Sequence, residues 1–210
     1  MTDKQHTGRL APIKAWLGGV TEKSLRNALV IILVTAALSA ATAYTTVGNI
    51  EVPIAGAGDM IKNASAVIAV VGTLLGWVLS TVIYHGGARL LGGKGSLNRM
   101  FALSGYASLP ILGQQILRFV YYPVLGQPMS TAATTGLDLF FDAFNVFTVV
   151  TLILTGVAVM INYGLSGRRS ALIALLPTFI VIALGLVTMA MASSAPTQTN
   201  GGIFGLRPGG

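Results

Sequence analysis

Apolar residues run along this chain in five long blocks, about 28–47, 65–91, 100–121, 139–163 and 171–191, parted by short polar or glycine-rich breaks. The first block holds 20 residues without a charge. At about 1.5 Å per residue it matches a hydrocarbon core of about 30 Å. Ahead of it, Leu10, Ile13, Trp16, Leu17 and Val20 recur at helical spacing beside Arg9, Lys14 and Lys23. That is the pattern of an amphipathic helix lying on a membrane surface, or of a packed juxtamembrane helix. Pro12 suits its first turn, Gly18 and Gly19 its end, and Thr21 the cap of the next helix. The pattern predicts an all-α integral membrane protein, with five transmembrane helices and a short amphipathic N-terminal helix. Residues 1–24 form a cytoplasmic segment with the interfacial helix, 25–192 the five-helix membrane domain, and 193–210 a flexible exterior tail rich in glycine and proline.

Composition sharpens this picture. The chain is 53% hydrophobic and 9% charged, with a mean hydropathy of +0.76, whereas a soluble domain carries about 25% charged residues. There is no cysteine, which removes disulfides, thiolate metal sites and a cysteine nucleophile. Small residues at Ser39–Ala43 imitate a signal-peptidase site, but the polar lead and the apolar run are both too long, so the first span is expected to remain as an anchor. The net charge of +7 follows from topology. With the N-terminus inside, Lys4, Arg9, Lys14, Lys23, Arg26, Arg89, Lys94, Arg99, Arg168 and Arg169 are cytoplasmic, and Lys62, Arg118 and Arg207 are exterior. This bias places the N-terminus in the cytoplasm and the tail outside, and accounts for the basic balance without nucleic acid.

The polar residues inside the blocks are the candidates for chemistry. Gly72, Gly76 and Ser80 fall on one face of the second span, where a neighbouring backbone could approach. His85 and Arg89 share a face near its end, with Tyr84 beside them; the histidine is read as an interfacial hydrogen-bonding group ahead of a pH sensor or proton relay. Gly92-Gly93-Lys94-Gly95-Ser96 lacks the Walker spacing and reads as a tight turn. Pro110 interrupts the third span and should kink it by freeing the Tyr106 carbonyl. Beyond it Gln114, Arg118 and Tyr122 follow at four-residue intervals. Asp138, Asp142, Asn145, Thr148 and Thr155 lie near one face of the fourth span. Arg118 is therefore expected to pair with Asp142 or Asp138, as a polar clamp between these spans or as a substrate or ion path. Gly56-Ala57-Gly58-Asp59 has the Gly-x-Gly-Asp form of presenilin-like proteases, but it follows a proline-containing loop and reads as a glycine-rich turn.

The layout and the central stretch resemble the Yip1 domain family. The likeness rests on His85, on Leu90-Leu91-Gly92-Gly93-Lys94-Gly95, and on Gly105-Tyr106-Ala107-Ser108-Leu109-Pro110, within about 24–191. It implies five spans with a cytoplasmic N-terminus. Eukaryotic members act in vesicle traffic between endoplasmic reticulum and Golgi and interact with Rab GTPases. This chain lacks their long N-terminal region and acidic Asp-Leu-Tyr-Gly-type motif and is more similar to compact prokaryotic members, some of which accompany ABC-type exporters.

Three function classes follow. The first is a non-enzymatic membrane partner or organiser in the cytoplasmic membrane of a prokaryote, rather than in endoplasmic reticulum or Golgi, accessory to a transport or export complex. Its partners would be lipid and another membrane protein, such as an ABC-type exporter, or a second copy. The second is a small transporter or channel using the polar faces of the third and fourth spans. The third is an intramembrane hydrolase using Asp59 and Asp142, which no serine-histidine pair or metal-ligand spacing strengthens, since His6 and His85 are the only histidines. The preferred reading is the first, with no catalytic residue, cofactor or metal.

Overall fold

A computed structural model describes residues 10–47, 57–125 and 145–194, and helix is the dominant form throughout them. In chain order the helices are α1 (Ala11–Gly18), a 3-10 turn (Glu22–Ser24), α2 (Leu25–Val47), α3 (Ala57–Leu90), α4 (Leu97–Ala107), α5 (Leu109–Leu125), α6 (Val146–Tyr163) and α7 (Gly167–Ser194). Four stretches, Glu22–Thr46, Ala57–Leu90, Val146–Tyr163 and Gly167–Met191, are long and apolar enough to cross a membrane. Their outward faces carry exposed Val30, Leu33, Val67, Ile68, Leu75, Leu79, Phe179 and Val181. Such continuous apolar exteriors suit a lipid solvent.

The short helix α4 sits at the centre. Six of its 11 residues are buried, Met100, Ala102, Leu103, Ser104, Gly105 and Ala107, and it packs against α2, α3 and α6. The closest approach is between Gly105 and α2, where a Cβ on Gly105 would lie 2.5 Å from the Ala28 Cβ and 3.0 Å from its Cα. Where lipid is as apolar as leucine, such backbone proximity is what holds helices together. Ala28, Ile32 and Ala36 form the buried stripe of α2 on this side.

Four expectations change. The third span is two helices of 11 and 17 residues, broken at Ser108. The Ser108 backbone N–H donates to the carbonyls of Ser104 (3.1 Å) and Gly105 (3.2 Å), and its Oγ donates to Ser104 (2.9 Å), closing α4. A new helix then starts with Leu112 N–H donating to the Ser108 carbonyl at 3.1 Å. Pro110 thus falls in the first turn of α5, where its missing N–H leaves no bond unmade, and breaks the span instead of kinking it. The expected helix of the fourth span is interrupted at Asn145, ahead of the described helix from Val146: Asn145 has extended backbone (φ −66°, ψ 165°) and its side chain accepts the Thr148 N–H at 3.1 Å. The second begins at Ala57, which moves Asp59 from a loop into the first turn of α3, paired with Lys62 at 3.6 Å on the surface. Last, α1 uses its apolar stripe on protein: Leu17 is fully buried, and Leu10 and Ile13 pack on the same core. Burying a leucine relative to water is worth about 1.5–3 kcal/mol.

The α2–α4 approach makes a direct prediction. Gly105→Ala should destabilise the fold by about 1–3 kcal/mol, since the contact is with backbone that cannot rotate away. Adding Ala28→Gly should restore most of the loss in thermal unfolding followed in nanodiscs.

Candidate functional site

Two polar clusters are built on α4, one at each end. The first forms where the α3–α4 turn meets the end of α6 and the N-terminal segment. α3 closes with Gly93 N–H donating to the Ala88 carbonyl (2.8 Å) and Gly92 N–H to Arg89 (3.0 Å). Gly92 takes φ +84°, the left-handed conformation that this helix stop requires. Beyond it the chain lies directly on α6. A Cβ on Gly93 would come within 2.7 Å of the Tyr163 Cβ, and one on Gly95 would overlap the Asn162 carbonyl. Lys94 N–H donates to the Tyr163 carbonyl (3.4 Å), and Asn162 Nδ2 to the Ser96 carbonyl (2.8 Å). Ser96 caps α4 by accepting the Arg99 N–H at 3.5 Å and donates its own proton to Glu22 Oε1 at 2.5 Å. Arg99 then reaches the N-terminal segment, with Nε donating to the Val20 carbonyl (3.1 Å) and a terminal nitrogen to that of Gly18 (3.3 Å). His85 Nδ1 and the Tyr163 hydroxyl are 2.7 Å apart.

The second cluster surrounds a cavity of about 220 Å³ between α2, α3, the α4–α5 break and α6. Trp77 Nε1 donates to Ser104 Oγ at 2.9 Å, and Ser104 Oγ lies 2.8 Å from Thr81 Oγ1. Tyr84, Ser80 and Thr155 also line the cavity. Thr35, Thr73, Ser108 and Thr151 complete the polar wall. No Asp, Glu, Lys, Arg or His is among the described residues that line it.

The residues singled out from sequence divide between these places. Gly92, Gly93, Lys94 and His85 belong to the turn cluster, and Gly105 and Tyr106 to α4; Tyr106 receives a bond from Asn27 Nδ2 (3.3 Å) and meets Trp16 edge-on at 6.2 Å. Gly76 and Ser80 line the cavity. A Cβ on Gly72 or Gly76 would meet nothing within 4 Å among the described residues, so that stripe carries no close approach between them. Gln114 and Arg118 are half-buried on α5. Asp138 and Asp142 lie outside the described residues, and Asn145 is the cap of α6, one step ahead of the helix that carries Thr148 and Thr155. Among the described residues no group of three His, Asp or Glu could hold a metal.

Sequence reasoning missed Trp77, Thr81, Ser104, Thr151, Arg99, Asn162 and Tyr163. A signal was present: Thr73, Trp77, Thr81 and His85 recur every four residues on α3, as do Ser104 and Ser108, and Thr151 and Thr155. Because Arg99 joins the N-terminal segment to the turn, Arg99→Ala should leave the membrane helices in place but loosen α1. Limited trypsin digestion should then cut at Lys14 and Lys23 several times faster, as expected for local opening.

No curated protein and no solved structure matches the chain. The family model described as Yip1 domain matches residues 10–189, and so takes in α1, both polar clusters and most of α7. With four bilayer-length apolar helices, the chain is a membrane protein that belongs to the Yip1 domain family.

Proposed function

We propose that this protein is a non-enzymatic partner or organiser within the cytoplasmic membrane of a prokaryote, accessory to a transport or export complex. In this reading α4 and α5 together make a fifth crossing, with the N-terminus cytoplasmic and the C-terminal tail exterior, as the lysine and arginine bias favours. The observation that carries it is the outer surface of α3. Among the described residues nothing covers its backbone at Gly72 and Gly76, beside exposed Ile68, Leu75 and Leu79, which is the form of surface on which a second transmembrane helix packs. The polar groups of the turn cluster support the same reading, since each is tied to another element of the fold and none is set against a reacting centre. An ABC-type exporter is one candidate partner, and a second copy of this chain another.

One observation favours a second reading, a small transporter. The third and fourth crossings contribute Ser108 and Thr155 to one shared cavity. Liposome flux that Arg118→Gln abolishes without unfolding the protein would favour transport over association.

Purification of the tagged protein in native nanodiscs from its own membrane, with mass spectrometry, tests the partner reading. A membrane protein should co-purify at comparable abundance, and Gly72→Leu with Gly76→Leu should reduce its recovery roughly three- to tenfold at unchanged thermal stability. Recovery of the chain alone would count against it.

A further inference from the structure

The cavity beside Trp77 has a hydrogen-bonding character that its composition hides. Ten of its 13 lining residues carry polar side chains, nine of them hydroxyls, yet five of the hydroxyl protons are already committed. Thr35 donates to the Ile31 carbonyl (2.8 Å), Thr73 to Ala69 (2.8 Å) and Ser108 to Ser104 (2.9 Å). Thr81 and Ser104 have two protons between them, facing the carbonyls of Trp77 (2.8 Å) and Phe101 (3.1 Å) and each other. The indole N–H of Trp77 is used on Ser104. These five hydroxyls can therefore offer the cavity oxygen lone pairs and no protons. Thr151 differs from these five: its Oγ1 is buried and meets no hydrogen-bond partner among the described residues. An unsatisfied buried hydroxyl costs free energy unless an occupant takes it up.

We propose that this cavity is a binding site for a small neutral molecule rich in N–H donors with one acceptor, of the primary amide class. Its N–H groups meet the lone pairs of the threonine and serine wall, and its carbonyl accepts the Thr151 proton. Neutrality follows from the lining. A cation or an anion would give up its hydration with no counter-charge among the described residues of the wall. Size is compatible, because about 220 Å³ exceeds the roughly 30 Å³ share of one water several-fold. Binding at this site stands apart from the partner reading and holds with or without a protein partner.

Trp77 reports on the site directly. The chain has two tryptophans, so Trp16→Phe leaves Trp77 alone, and its emission can be followed in nanodiscs during titration with acetamide, acetamidinium chloride and sodium acetate, three near-isosteric solutes of charge zero, plus one and minus one. Acetamide should produce a saturable shift and the two ions none. Thr151→Val should fold, since it removes an unpaired hydroxyl, and should weaken acetamide roughly two- to tenfold. A non-saturating acetamide response, an equal response to either ion, or unchanged affinity in Thr151→Val would each overturn the proposal.

Discussion

The contact on which the rest of the fold depends is the seating of Gly93 and Gly95 against Tyr163 and Asn162. No side chain fits between the turn and the end of α6, and the Lys94 N–H bonds to the Tyr163 carbonyl while the Asn162 side chain donates back to the Ser96 carbonyl. That contact fixes where α4 begins. From there α4 is carried into the centre of the bundle, where Gly105 lies against Ala28. The same turn anchors the N-terminal segment through Glu22 and Arg99, so three separate parts of the sequence are held at one point. A glycine turn that looks like a mere connection is thus the place where the tertiary structure is specified.

The polar side chains of the bundle sit between helices beside an apolar core, and the outward faces are apolar as well. Apolar exteriors of this kind suit lipid, where a polar group needs a partner within the protein. Trp77, Thr81 and Ser104 bond to one another across α3 and α4, and Asn162 to the chain leading into α4. The described groups at the cavity are neutral, which keeps the cost of burying them small.

Much of the fold was legible because helical periodicity and bilayer length are strong constraints. The blocks near 28–47, 65–91 and 171–191 correspond to α2, α3 and α7, and Pro12, Gly18 and Thr21 mark their turns as the residue types suggest. Pro110 was legible as an interruption but not as a full break, because the outcome depended on the Ser108 side chain closing the preceding helix. The family motif was legible as text while the reason for its glycines was not. Gly93, Gly95 and Gly105 are set by residues 163, 162 and 28, and no local pattern reports such distant neighbours. The cavity escaped notice for a related reason: serine and threonine carry no charge to draw the eye, and their four-residue recurrence on three helices gains meaning only when those helices are brought together. Asp138 and Asp142 lie outside the described residues, so their pairing with Arg118 stays an expectation from sequence.

The length of α3 has a geometric consequence. Its 34 residues extend about 50 Å at 1.5 Å each, against a hydrocarbon thickness of about 30 Å. Even at the steep end of transmembrane tilts, about 40°, the rod would still be roughly 8 Å too tall for the slab. Its first turns must therefore stand in the headgroup layer or beyond it, and they are the turns that carry Asp59 and Lys62, whose pairing at the surface needs water and not lipid around it. The helix is a mast as well as a crossing, and its top carries a charged pair beyond the hydrocarbon, within reach of a molecule arriving from that side.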